Sequence, residues 1–198
     1  MTQASQALEL ARAHGLLRAA TARAHGIPGV VLARLTDQGE LVRLSRGVYM
    51  RPDADVSEHH TLAEVACRIP GAVVCLLSAL RFHELTTQAP HEVWIAVETR
   101  AHRPRPRDLP LRIVEMSCAT LRPGSELHEV ERVSVPVTSP AKTVADCFRF
   151  RSTVGLDVAL EALRGYVRQR VGPIDELYEA ACLSRVRTVM RPYIEAVA

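Results

Sequence analysis

Apolar residues recur along this chain at two periods, and the places where the period changes divide it into elements. Near the start, Leu8 and Ala11 share the face of a helix that Ser5 can cap and Gly15 can end. A serine hydroxyl accepts from first-turn amides, and glycine tolerates the left-handed exit. A second short helix is predicted from about Leu17 to His25. Gly26-Ile27-Pro28 reads as a tight turn, with the proline suited to the first position of the next helix. That third helix carries Val31, Leu32 and Leu35 at core spacing and stops before Gly39. Leu41-Val42-Arg43-Leu44 and Val48-Tyr49-Met50 are β-prone runs separated by Ser45-Arg46-Gly47, which puts glycine where a hairpin favours it. Helix, helix, turn, helix and hairpin is the order of a winged helix-turn-helix, which sets its third helix in a DNA major groove and its wing along the backbone or minor groove.

Asp53-Ala54-Asp55 after Pro52 is short and polar and reads as a linker, giving domains over 1–52 and 56–198. In the second, Leu62, Val65, Ala66 and Ile69 fall at helical spacing, and Val73, Leu76, Leu77 and Leu80 repeat it after Pro70-Gly71. The period then becomes two. Val93, Ile95 and Val97 alternate with Glu92, Trp94 and Ala96, Leu111 to Val114 is a second strand, and Val133, Val135 and Val137 make a third. Pro136 lacks a ladder donor, so the third strand is expected at a sheet edge. Ser139 and Pro140 are a cap and first-turn pair for a helix bearing Ala141, Val144, Ala145 and Phe148. Helical stripes follow at Leu156–Val167, Ile174–Ala181 and Val186–Ile194. The fold class predicted is α+β: an N-terminal winged helix-turn-helix followed by a small sheet packed with several helices.

Composition narrows the functional classes. Of 198 residues, 47% are apolar, enough for a sizeable core and too many for a disordered chain. No run of uncharged apolar residues is long enough to span a bilayer, and Met1 to Arg12 lacks the order of a secretory signal, so a cytoplasmic protein with no membrane partner is expected. The five cysteines have no CxxC spacing and read as reduced, mostly buried thiols, and the scattered histidines match no zinc site, so neither a metal nor a cofactor is expected.

The net charge of +3 hides a strong asymmetry. Residues 1–51 hold seven arginines against three acids and residues 100–112 five against one, whereas 52–99 are acidic. A local basic face is the footprint of a polyanion partner. Arg34 is placed to project from the third helix toward a duplex, Arg43 and Arg46 lie on the wing, and Arg18 and Arg23 on the predicted second helix can meet phosphates. Pro28, Gly29 and Val30 open the third helix with few hydrogen-bonding groups, leaving specificity to Arg34, to contact of Val30 with thymine methyls and to DNA shape. Arg100, Arg103, Arg105 and Arg107 form a second basic stretch, read either as an additional nucleic-acid contact or as a solubilising hairpin tip.

For catalysis the sequence offers little. Lys142 and Asp146, with Ser139 nearby, share a helix face at the spacing of an ordinary surface salt bridge, worth a few tenths of a kcal/mol. Glu98-Thr99-Arg100 is a distant echo of a metal-dependent nuclease, with arginine where a lysine is needed. No phosphate loop, Cys-His nucleophile or HExxH is present, so no catalytic residue is assigned.

Four stretches carry a resemblance: Gly47-Val48-Tyr49 ending the wing, Val137 to Phe148 with its Ser-Pro-Ala-Lys-Thr core, Gly155 to Leu163, and Val189-Met190-Arg191-Pro192-Tyr193. Together they resemble AbiEi-type antitoxins over nearly the whole chain. The resemblance implies a winged helix that represses its own operon by binding promoter DNA. It also implies a C-terminal domain counteracting a cognate nucleotidyltransferase-fold toxin, in type IV systems where the partnership can be genetic or physical. It supports Arg34, Arg43, Arg46 and Tyr49 as DNA-facing or wing-supporting, and includes Lys142 and Asp146 without chemistry to transfer. A module that binds the toxin directly and a nuclease-like enzyme are the alternatives. No dimerisation helix stands out, and two monomers on adjacent half-sites would serve as well as a dimer.

Overall fold

The computed structural model describes residues 2–99, 106 and 108–197. It divides into two compact units, residues 1–70 with 128–135, and residues 71–127 with 136–198.

The first unit opens with α1 (Gln3–His14), capped by Thr2, whose hydroxyl accepts from Ser5 N at 3.2 Å. The cap therefore precedes Ser5, which instead donates its own hydroxyl back to Thr2 O. Gly15, at φ 67°, turns the chain into β1 (Leu16–Arg18) and then α2 (Ala19–Ala24), so the helix predicted from Leu17 has its first two residues in a strand and is helical only from Ala19. Successive strand residues point to opposite faces. Leu16 and Leu17 are both buried because β1 packs against both α1 and α4 (His60–Arg68). Arg18 consequently lies on β1, paired with Val48, and not on the second helix.

Next come α3 (Gly29–Asp37), β2 (Val42–Ser45) and β3 (Val48–Met50). Pro28 sits one position earlier than expected, as the extended residue before α3, with ψ 151°. β3 lies between β1 and β2 in a three-stranded antiparallel sheet. Ala7, Ala11, Leu17, Ala22, Ile27, Leu32, Leu35 and Leu41 form the core beneath it. The order helix, strand, two helices and a β-hairpin is a winged helix.

The second unit contains β4 (Val73–Val74), α5 (Leu76–Phe82), β5 (Val93–Glu98), β6 (Leu111–Met116) and α6 (Cys118–Leu121). After them come β7 (Ser125–Val130), β8 (Val133–Thr138), α7 (Pro140–Arg149), α8 (Arg151–Val154), α9 (Leu156–Arg168), α10 (Ile174–Leu183) and α11 (Arg187–Val197). The sheet runs β6-β5-β4-β8-β7, and the tip of the β7–β8 hairpin is counted with the first unit.

Three expectations change here. Val73 opens a strand and not a helix; the helix begins at Leu76. Pro136 lies on an interior strand, tolerated because its β4 neighbour is two residues long and registers on β8 at Val74↔Val137. β5 and β6 run parallel, from Val93↔Leu111 to Glu98↔Met116, so they are not the two arms of a hairpin. Arg100, Arg103, Arg105 and Arg107 themselves lie outside the described residues.

Candidate nucleic-acid interface

α3 is amphipathic in the sense a recognition helix requires. Val31, Leu32 and Leu35 are buried, while Val30, Ala33, Arg34 and Asp37 repeat at helical spacing on the exposed side. Pro28 and Gly29 are exposed too, and a β-carbon added at Gly29 would have nothing within 4 Å. Arg23 on α2, Arg34 on α3, and Arg43 and Arg46 on the wing are all exposed. Among the described residues Arg23, Arg34 and Arg46 pair with no acid, so their charge is available to a phosphate. Arg43 folds along its own strand, donating from Nε to Ser45 O at 3.3 Å, where the β2–β3 register shifts. Arg18 is half-buried. Tyr49 is corrected as a DNA-facing residue: it is buried in the core of the first unit, and its ring supports the wing from beneath.

The second cluster, in α7, is unlike the surface pair its spacing suggested. Lys142 Nζ lies 2.6 Å from Asp146 Oδ2, and Ser184 donates its hydroxyl to Asp146 Oδ1 at 2.7 Å. Lys142, Asp146 and Ser184 are all buried. Gly124, at φ 73°, leaves room for the lysine stem, since a β-carbon there would meet Lys142 Cδ at 2.7 Å. Ser139 caps α7 by accepting from Lys142 N. Burial, and secondarily the Asp146 charge, pushes the thiols of Cys75 and Cys147 up.

A cavity of about 470 Å³ on the first unit is lined by Arg12, Arg51, Asp53, Asp55, Glu131 and Arg132 among others. Most of its charges already have partners: Arg51 pairs with Asp53, Glu131 with His60, and Arg132 donates to Arg12 O. Among the described residues no group of three His, Cys, Asp or Glu side chains could hold a metal, and no helix is long and apolar enough to cross a membrane.

Residues 5–52 match a family model described as transcriptional regulator, AbiEi antitoxin. Over those residues the first module is similar to AbiEi-type regulator domains. No curated protein matches the sequence. Among solved structures the chain is similar to the RV2827C protein from Mycobacterium tuberculosis, with a TM-score of 0.57 and 13% identity over 98% of this chain and 81% of that one. At that identity the likeness is one of fold.

The AbiEi-type match runs from within α1 through β3 and thus takes in every residue singled out for DNA except Arg100, Arg103, Arg105 and Arg107. On α3, sequence reasoning picked Val30 and Arg34 but passed over Ala33 and Asp37, whose place on the same face follows from counting three and seven residues on from Val30. Ser184 was missed as well. It lies 38 residues from Asp146, and no local spacing links them.

Proposed function

We propose that this protein is a DNA-binding repressor and antitoxin of a toxin–antitoxin operon. Residues 1–52 bind promoter DNA, residues 56–198 form the antitoxin-type part, and the cognate toxin has a nucleotidyltransferase fold. The observation that carries this reading is the exposed face of α3 with Arg34 on it, inside a module matched to AbiEi regulators and bearing seven arginines against three acids over 1–51. Arg23 and Arg46 hold the flanking phosphates, Arg43 lines the wing, and α3 enters the major groove. The protein works in the cytoplasm, without a metal or cofactor, by binding and not by turnover.

The test is a titration of the full chain against the DNA upstream of its own gene. A shift that weakens steeply with added salt supports the reading, because each neutralised phosphate releases a counterion. No shift at low salt overturns it and favours a module that captures the toxin directly. Co-expression with the neighbouring gene tests the antitoxin half: growth arrest by that gene, relieved by this one, is the expected result.

A further inference from the structure

We propose that α3 selects duplexes by a C5-methyl group on a pyrimidine, with Val30 as the side chain that reads it. This rests on the DNA-binding reading above. In helix-turn-helix docking the N-terminal turns of the recognition helix reach the base edges. Here those turns expose Val30, Ala33, Pro28 and Gly29, none of which carries a hydrogen-bonding side chain; the polar groups of the face begin at Arg34.

Val30 is 73% exposed, in a unit whose other large aliphatic side chains are mostly buried. The space around Gly29 is open, so the backbone can come close to the groove floor. The flanking arginines Arg23 and Arg46 supply the charge complementarity that holds a polyanion, but no base information. An apolar side chain discriminates bases in the major groove by one feature, the methyl group that thymine carries at C5. A 5-methylcytosine carries the same group on the same carbon, so the chemistry is shared by two sources.

The upstream fragment is prepared in three forms: with thymine, with uracil throughout in place of thymine, and with 5-methylcytosine throughout in place of cytosine. Uracil keeps the base-pairing groups and removes only the methyl. Wild-type protein and Val30→Ala are titrated against each by fluorescence anisotropy, with circular dichroism showing that the variant is folded.

Wild type is expected to bind the uracil form about fourfold more weakly for each methyl group in contact, the worth of one buried methylene-sized group. In Val30→Ala that ratio should shrink toward one. Equal wild-type affinity for the thymine and uracil forms overturns the proposal. So does a ratio that Val30→Ala leaves unchanged, which assigns the effect to DNA stiffness or another residue. A Val30-dependent change on the 5-methylcytosine form extends the selection to methylated cytosine, whereas no change restricts it to thymine. Absence of binding to every form sinks the DNA-binding reading itself, and this inference with it.

Discussion

Lys142 and Asp146 face each other across one turn of α7 at 2.6 Å, with both side chains 1% exposed. An ion pair so placed carries a large desolvation penalty that its attraction roughly offsets, so removing one partner is far worse than removing both.

Lys142→Met should therefore destabilise the protein by about 3–5 kcal/mol, because it strands the Asp146 carboxylate in the core. The double variant Lys142→Met/Asp146→Leu leaves only the Ser184 hydroxyl unpaired, at a cost of about 1–3 kcal/mol. Urea unfolding of the three proteins measures both. A double variant as unstable as the single would show that the pair itself, and not the stranded charge, holds this region together. Gly124→Ala presses on the same lysine and is expected to lower stability too, more than a glycine-to-alanine change in open space.

Where a local rule decides the structure, the sequence was a sound guide. The α3 stripe, the Val48–Met50 strand and the Ser139-Pro140 start of α7 depend on spacing and caps within a few residues, and they stand as expected. What escaped depends on partners distant in sequence. Leu16-Leu17 is a strand because β3 pairs with it, Leu16 meeting Met50 34 residues on. Ser125–Val130 has too few apolar residues to announce a strand, and Glu126, Leu127 and Glu129 are all exposed, so no buried alternation marks it. Lys142 and Asp146 look like a surface pair because their spacing says nothing of what covers them. On the proposed interface, exposure of Arg34 followed from its place between core positions, but the burial of Tyr49 did not follow from its place in a hairpin.

The Glu131 carboxylate is held from two sides by the start of the α4 segment. Oε1 accepts from Ser57 N at 2.7 Å and Ser57 Oγ at 2.9 Å, and Oε2 from His60 Nδ1 at 2.7 Å. Burial pushes this carboxyl up, but the bonds from His60 and Ser57 outweigh burial and hold it below the usual 4.5. A carboxyl lowered in the folded state contributes stability that is present above the unfolded value and lost as pH falls through the folded one. Glu131→Gln should thus be less stable than wild type at neutral pH, and the gap should close on acidification below 4.5. A gap of constant size down to full protonation would mean that the charge of Glu131 contributes nothing.

The thiols provide a simple check of the packing within each unit, Cys67 in the first and the other four in the second. Cys67, Cys75 and Cys147 are buried and Cys118 and Cys182 exposed, all five being free. Burial raises the thiol of each of the first three, which lowers both access and thiolate content. A chromogenic disulfide reagent should titrate Cys118 and Cys182 promptly in the native protein and the other three only in denaturant. Prompt modification of Cys147 would show that α7 is not covered as described.

Arg34 and Arg46 test the division of labour on the proposed interface. Arg34 stands on the exposed face of α3, and Arg46 at the wing turn before Gly47. If Arg34 reaches a base edge, Arg34→Ala should weaken binding to the upstream fragment by about 1–3 kcal/mol and narrow its preference over unrelated DNA. Arg46→Ala removes a phosphate contact, so it should weaken both DNAs alike and lower the slope of log affinity against log salt by about one. Affinity titrations at several salt concentrations on both DNAs separate the two effects. A preference lost in Arg46→Ala and kept in Arg34→Ala would move base readout from the helix to the wing. If neither affinity changes in the double variant, the DNA-facing surface lies elsewhere on the molecule, because two exposed guanidinium groups that pair with no acid can be silent only if no phosphate comes near them.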